Sequence, residues 1–339
     1  AQSTVTPAGV ADTSFASPEN TTANVASAIA SGSRLGGSGS AAAPGDAPAI
    51  FTVEHGQPVE AVRAEPGQVD QAGHLLGRQA YLGLAGDFSA VAFDRQHALD
   101  YLGRVDITDG ATGGAGNATG LAANGLRRLD SSTQYYRAKA RGISANSAYG
   151  VDGFDGSAAS RAWGLSVGIE AGPLTVRAAH QNRNVARIHL YDLAGNSLEA
   201  KNSIIAANFK MGWGSAYAAY SINRGWGSSP LFNPDNPYGA GIWSTPSTDS
   251  RDVLVGVAVP VGHSTTLLAS FIHKNDRDLA NRDANQMAIG ATYAVSRRTD
   301  FYAAYSHIQN INGAAAALGA ALARGATSSA VNIGMRHAF

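Results

Sequence analysis

The chain has 339 residues, no cysteine, 40 glycines and 25 basic against 25 acidic residues, and charged residues make up only 15 % of it. That balance excludes an acidic disordered tail, a basic nucleic-acid binder and a disulfide scaffold. The longest uncharged apolar stretch, 313–323, is far short of the ~20 residues a membrane helix needs, so an all-β protein, in water or in a membrane, is the starting expectation.

Read in chain order, the clearest periodicity is two. It predicts strands over 3–10, 29–38, 47–55, 74–85, 88–95, 131–140, 143–151, 162–171, 173–183, 202–212, 215–224, 251–261, 264–274, 285–295, 298–308 and 328–339. Trp163, Leu165, Val167 and Ile169 oppose Gly164, Ser166, Gly168 and Glu170. Val253, Val255, Val257, Val259 and Val261 oppose Asp252, Leu254, Gly256, Ala258 and Pro260. At the end, Val331, Ile333, Met335, His337 and Phe339 alternate with Asn332, Gly334, Arg336 and Ala338. Strict alternation over about ten residues marks a strand with one apolar face. Pro7 and Pro48 fall inside two of the early predicted strands.

The connections alternate between short and long. Ala171-Gly172-Pro173, Gly212-Trp213-Gly214, Gly262-His263 and Ser296-Arg297-Arg298 read as tight turns, and long polar segments lie near 184–201, 225–249, 275–283 and 309–326. Both termini then fall on the short-turn side. A soluble sandwich would need one packed core, and these apolar faces are too numerous for that. An outer-membrane barrel has strands of about 9–11 residues, short turns at one end and long loops at the other, and closure pairs every backbone group where no water reaches. Sixteen strands suffice for an aqueous channel. The expected fold is therefore a single 16-stranded antiparallel transmembrane β-barrel domain spanning 1–339. The start at Ala1-Gln2 fits cleavage of a leader after small residues. A soluble all-β binding module such as a lectin is the rival reading.

Several segments resemble the trimeric general porins of Gram-negative outer membranes. They are Ser33-Arg34-Leu35-Gly36, 49–56, Gly77-Arg78-Gln79-Ala80-Tyr81-Leu82-Gly83-Leu84, Gly86-Asp87-Phe88, Asp94-Arg95-Gln96 and Asp100-Tyr101-Leu102-Gly103-Arg104-Val105-Asp106, then Arg297-Arg298-Thr299 and the terminal Gly334-Met335-Arg336-His337-Ala338-Phe339. The resemblance implies a homotrimer in outer-membrane lipid and lipopolysaccharide that passively conducts ions and small hydrophilic solutes. It also implies an inward-folded third loop, here about 96–130, carrying Asp100, Asp106 and Asp109 opposite wall arginines. The positions equivalent by motif are Arg34 and Arg78, with Arg128 ahead of the next strand. The chain departs from the family over 37–48, where a strand, an acidic-glycine turn and another strand are usual, and at Pro7.

Catalytic signatures are absent. There is no Gly-x-Ser-x-Gly, no His-Glu-x-x-His and no Walker loop, and the nine histidines show no ligand spacing, so neither an enzyme nor a metal or other cofactor is expected. His180 and His337 fall on apolar parity, as interface or subunit-contact histidines would. Asp276-Arg277-Asp278 with Arg282-Asp283 is only loosely like a calcium loop and reads as solvated, mutually screened charge. Of the 25 basic residues only Lys139, Lys201, Lys210 and Lys274 are lysines, a bias toward rigid, permanently charged forks. Arg137, Lys139, Glu170, Arg177, Lys210 and Arg336 are expected to face the lumen, because a lipid-facing charge at the midplane costs ~2–4 kcal/mol. A positive wall opposite acidic loop groups sets up a transverse field, and an anion preference is expected. A substrate-specific channel for an organic anion is the alternative.

Overall fold

The structure is a computed structural model that describes residues 4–18, 24–27, 34–41, 48–56, 79–85, 89–97, 128–137, 142–151, 161–187, 197–225, 249–279, 281–312 and 327–339. Among the described residues the secondary structure is β throughout, in one sheet of seventeen strands. They are β1 (Thr4–Pro18), β2 (Asn24–Ser27), β3 (Arg34–Ala41), β4 (Ala49–Gly56), β5 (Gln79–Ala85), β6 (Ser89–His97), β7 (Arg128–Arg137), β8 (Ile143–Val151) and β9 (Arg161–Ala171). They continue with β10 (Leu174–Arg187), β11 (Ser197–Met211), β12 (Gly214–Gly225), β13 (Asp249–Val261), β14 (Thr265–Asp276), β15 (Ala284–Ala294), β16 (Thr299–Asn310) and β17 (Ser328–Ala338).

Every strand from β3 to β17 pairs antiparallel with its successor. β1 then pairs with β3 on one edge and β17 on the other, closing the ring. The four-residue β2 lies on the same edge of β1 as β3, against its outer half. Sixteen strands thus form the barrel, each overlapping one of the sixteen predicted from alternation, and β2 is an addition. Followed rung by rung around the ring, the registers return to β1 about 20 residues further along. With a rise of ~3.3 Å and a strand spacing of ~4.8 Å, that stagger corresponds to a tilt of about 40° and a backbone radius of about 16 Å. Wall side chains cannot meet across so wide a lumen.

The burial pattern is inverted relative to a protein with a single packed core. Along β9, Trp163, Leu165, Val167 and Ile169 are 46–53 % exposed, while Ala162, Gly164, Ser166 and Gly168 between them are buried. The same inversion continues through Val253, Val255 and Val257 of β13, Met287 and Ile289 of β15, and Ile333 and Met335 of β17. Burying one large apolar side chain is worth ~1.5–3 kcal/mol. An outward apolar band repeated on successive strands therefore requires a hydrocarbon surround. Aromatics expected near strand ends, Trp163, Tyr293, Phe301 and Phe339, all lie on this outer face, and Tyr293 stands directly opposite Phe301.

The early strands depart from expectation at several points. β1 runs on to Pro18, eight residues past its predicted end, because β17 offers it a second ladder from Val10 upward. Pro7 is accommodated because Thr4–Ala8 precede that ladder and have only β3 beside them, an edge position where a missing N–H breaks no rung. Pro48 lies just outside β4, where its carbonyl accepts from the Ala85 N–H at 2.9 Å. The tight turns are as predicted, with Gly172 and Gly262 at positive φ.

The closing ladder ends on one rung beyond Val10–Ala338. Gly9 and Phe339 exchange both backbone hydrogen bonds, at 3.1 and 3.0 Å, and the Phe339 ring lies across Gly9, where any Cβ would collide with it. Gly9→Val should cost ~1–3 kcal/mol through overpacking and lower the temperature at which the folded gel band converts to unfolded mobility. The double change with Phe339→Ala should restore part of the loss, and an unchanged conversion temperature in the single variant would separate this contact from closure.

Candidate functional site

The inner face is built by the residues that alternate with the lipid-facing ones. Near the short-turn end, Arg177 of β10 stands opposite Gly168 of β9. Because Gly168 has no side chain, the guanidinium crosses over it, donating through Nη2 to Glu170 Oε1 at 3.1 Å and through Nη1 to Ser144 Oγ. A Cβ at 168 would meet that guanidinium. On the other side of the ring, Arg336 of β17 lies opposite Asp300 of β16 and donates to its Oδ1 through Nε at 3.0 Å. Lys210 is exposed on lumen parity beside the β11–β12 turn. Arg177, Glu170, Lys210 and Arg336 therefore stand on the inward-facing parity of their strands. Arg177 and Arg336 are tied to carboxylates of neighbouring strands.

Near the outer ends of β11–β14 the lumen face carries a buried polar chain. Asn202, Asn223 and Ser250 occupy one rung, with Ser221, Asp252 and Lys274 on the next inward-facing rung. Asn202 Nδ2 donates to Asn223 Oδ1 at 3.0 Å, and Asn223 Nδ2 donates to Asp252 Oδ2 at 2.8 Å and to Ser250 Oγ at 3.0 Å. The Lys274 ammonium lies 3.8 Å from Asp252 Oδ1, with both side chains 0 % exposed. The parity of Asp252 is legible in β13, but its partner is not. Only the β13–β14 register brings Lys274 directly opposite it.

Below this chain the lumen face turns apolar. Ile204, Leu254, Ile272 and Ile308 are buried together with small residues of the same parity. Alternation predicted a small or polar inner face here, and the register shows a strip of branched side chains across β11–β16 instead.

The remaining expected residues fall as follows. Arg34 begins β3 opposite Gly56, on the parity opposite the outward Leu35, so its position is on the lumen side of the register. Arg128 is corrected: it begins β7 opposite His97, beyond a register shift between Asp94 and Gln96 where β7 carries one extra residue, and its rung has the parity of Phe93, which is exposed outside. Arg137 is corrected. It lies four residues along from Thr133, whose partners Phe93 and Tyr149 are exposed outside, so its position is on the outer parity at the turn-end rim. Tyr135 and Tyr136 put aromatics on both parities there, and only the ladder phases the strand. Arg78, Lys139, Asp100, Asp106, Asp109, most of the 96–130 loop and the 313–323 run lie outside the described residues.

The acidic outer turn is also corrected. Asp276 is buried and its carboxylate accepts the backbone N–H groups of Asp278 and Arg282, while Asp283 Oδ1 accepts that of Asp276. These carboxylates cap the turn rather than screening one another in solvent. His180 and His337 are on the outer face as expected. His180 Nδ1 is 2.8 Å from Ser203 Oγ with its ring 5.2 Å from that of Trp163, and His337 Nδ1 is 2.8 Å from Thr299 Oγ1.

A closed sixteen-stranded wall, apolar outside, charged and small within and wider than its side chains can fill, defines a transmembrane β-barrel channel. Residues 1–313 match the family model described as Gram-negative porin, and the chain belongs to that family, whose place is the outer membrane. It is 25 % identical over 335 residues to an outer membrane porin protein of Bordetella pertussis, covering 92 % of this chain and 83 % of that one. Among solved structures it is similar to an anion-selective porin from Comamonas acidovorans, with a TM-score of 0.80, 19 % identity and all of both chains covered. It is also similar to the trimer form of OmpT, an outer membrane protein of Vibrio cholerae, with a TM-score of 0.70, 17 % identity and 99 % of each chain covered.

Replacing Lys274 by Met should leave the Asp252 charge buried without its cation and cost ~3–5 kcal/mol, read as a lower denaturant midpoint for the refolded barrel. Removing both charges together, Lys274→Met with Asp252→Leu, should recover most of the loss. A single variant as stable as the parent would show that the pair carries no weight.

Proposed function

We propose that the barrel is an anion-preferring diffusion channel for ions and small hydrophilic solutes, working as a homotrimer, with no chemical step. The observation that carries the reading is the placement of charge around the ring. The position of Arg34 is on the lumen parity of β3, and an apolar inner strip of Ile204, Leu254, Ile272 and Ile308 lies on β11 to β16. A loop folded into the lumen needs an apolar seat, and this strip supplies one on other strands of the ring. With 96–130 seated there, Asp100, Asp106 and Asp109 face Arg34 and Arg78, and the pore narrows between fixed charges of opposite sign. In such a gap permanent guanidinium charges on a rigid wall lower the entry barrier for anions. The net charge of zero does not oppose this, because selectivity is set by the local field.

The resemblance to a porin described as anion-selective supports the sign of the preference, and the trimer form of OmpT supports the assembly. Arg177–Glu170 and Arg336–Asp300 act as braces near the inner mouth, each charge balanced by its partner, so they contribute little to selectivity. Outer-membrane lipid and lipopolysaccharide surround the assembly.

Planar-bilayer reversal potentials under a salt gradient test the proposal. The parent channel should give the anion-selective sign, and Arg34→Ala with Arg78→Ala should move the reversal potential toward zero or beyond. A cation-selective parent would overturn the reading. Unchanged selectivity in the double variant would make these arginines structural.

A further inference from the structure

The two mouths of the barrel differ in the balance of their charges. Across the outer ends of β11–β14 and the β14–β15 turn, side chains of the two signs are equal in number, six of each. Cations there stand beside carboxylates. Glu199 Oε2 holds Lys201 Nζ at 2.8 Å, Asp249 lies opposite Arg224, and Asp252 has Lys274 3.8 Å away. The turn end is unbalanced. Among the described residues of β9–β17 it carries the side chains of Arg177, Lys210, Arg297, Arg298 and Arg336 against those of Glu170 and Asp300. Both carboxylates are already engaged, Glu170 by Arg177 across the space left by Gly168 and Asp300 by Arg336. Lys210, Arg297 and Arg298 are exposed and have no ion-pair partner among the described residues.

The backbones that carry these three cations are anchored, so the charges stay at the rim. The Lys210 N–H donates to the Pro173 carbonyl of the neighbouring turn at 2.9 Å. Ser296 Oγ accepts the N–H groups of Arg298 and Thr299 at 3.2 and 3.0 Å, and the Arg298 carbonyl accepts the Ala338 N–H at 2.8 Å. Lys210 is on lumen parity, and Arg298 lies two residues before the inward-facing Asp300.

A fixed surplus of charge at a mouth acts on permeating ions only as far as salt lets it reach. The Debye length is ~30 Å at 0.01 M and ~10 Å at 0.1 M, against a backbone radius of about 16 Å. The field of the rim therefore spans the mouth in the dilute solution and fails to span it in the concentrated one. We propose that Lys210, Arg297 and Arg298 form a second selectivity element at the turn-end mouth, so that the anion preference depends on which mouth faces the dilute solution. With the dilute solution at the turn end, anions are drawn in and cations turned back at the rim. With the gradient reversed, the rim is screened and the rest of the lumen acts by itself. The inference rests on the anion-preferring reading for the sign of the whole channel, and on the described rim for its sidedness.

The test uses the full-length refolded protein in planar bilayers and reads reversal potentials with the salt gradient in each direction. Orientation is set with Leu279→Cys, a position wholly exposed in the outer turn of a chain without cysteine. Its biotinylated form lets streptavidin perturb the current only from the chamber that the loops face. Between about 0.1 M and about 0.01 M salt, the anion-to-cation permeability ratio of the parent should be at least about twofold higher with the dilute solution at the turn end. Lys210→Gln with Arg297→Gln and Arg298→Gln should abolish that difference and leave the ratio for the opposite gradient near the parental one. Lys201→Gln with Arg224→Gln at the other mouth should leave a difference of the same sign. Heat-modifiable mobility, and conductance in about 1 M salt where the Debye length falls to ~3 Å, should match the parent in each variant. A cation-preferring parent overturns the anion-preferring reading by itself, since the sidedness is judged on the difference between the two gradients. Equal ratios in both directions, a difference of opposite sign, or an undiminished difference in the triple variant would overturn the sidedness.

Discussion

The whole structure depends on one constraint: in hydrocarbon, each backbone N–H and C=O must find a partner within the protein. An open sheet leaves two unpaired edges, and in the barrel those edges are β1 and β17. Their ladder from Val10–Ala338 to Pro18–Ala330, finished by the double Gly9–Phe339 bond, removes both at once. The terminal residue is thereby part of the wall. The small size of Gly9 is what lets the Phe339 ring lie flat across the seam.

Once the ring is closed its stagger is fixed, and the stagger decides what faces what. A strand shifted by one residue would exchange its lipid face with its lumen face. The outward column of Trp163, Leu165, Val167 and Ile169 would then stand in water and the buried Lys274–Asp252 pair in lipid. The cost of either error is several kcal/mol per strand, so the apolar band and the inner polar chain each enforce the same register. The inner face is not uniform. Braced ion pairs sit near the turn end, an apolar strip crosses β11–β16, and a hydrogen-bonded polar chain lies above it. Fixed charges held by partners shape the field without moving, whereas charges free on long side chains would follow the permeating ion.

Much of this is legible in the amino-acid order, since period two is a direct consequence of strand geometry. Each of the sixteen barrel strands overlaps a predicted one, and the alternation of short and long connections places both termini at one end. The weak points have physical causes. Pro7 looks unfit for a strand until the one-sided pairing of Thr4–Ala8 is known. Tyr135 and Tyr136 supply aromatics to both parities, so Arg137 is phased only by its rung with Ser89. Asp276, Asp278 and Asp283 read as a screened acidic cluster, yet backbone N–H groups within the turn claim the Asp276 and Asp283 carboxylates, an outcome that depends on turn geometry.

By itself, then, the sequence determined the sixteen barrel strands, the lipid-facing column of those that alternate strictly and the barrel class, because these follow from alternation and chain length alone. Only the tertiary structure decided which residues meet across strands. Asp252 with Lys274, Arg177 with Glu170 over the vacancy of Gly168, and Gly9 under Phe339 are separated by 22, 7 and 330 residues in the chain. Their meeting is set by the stagger of a closed ring, and a stagger belongs to the assembled sheet and to no single strand.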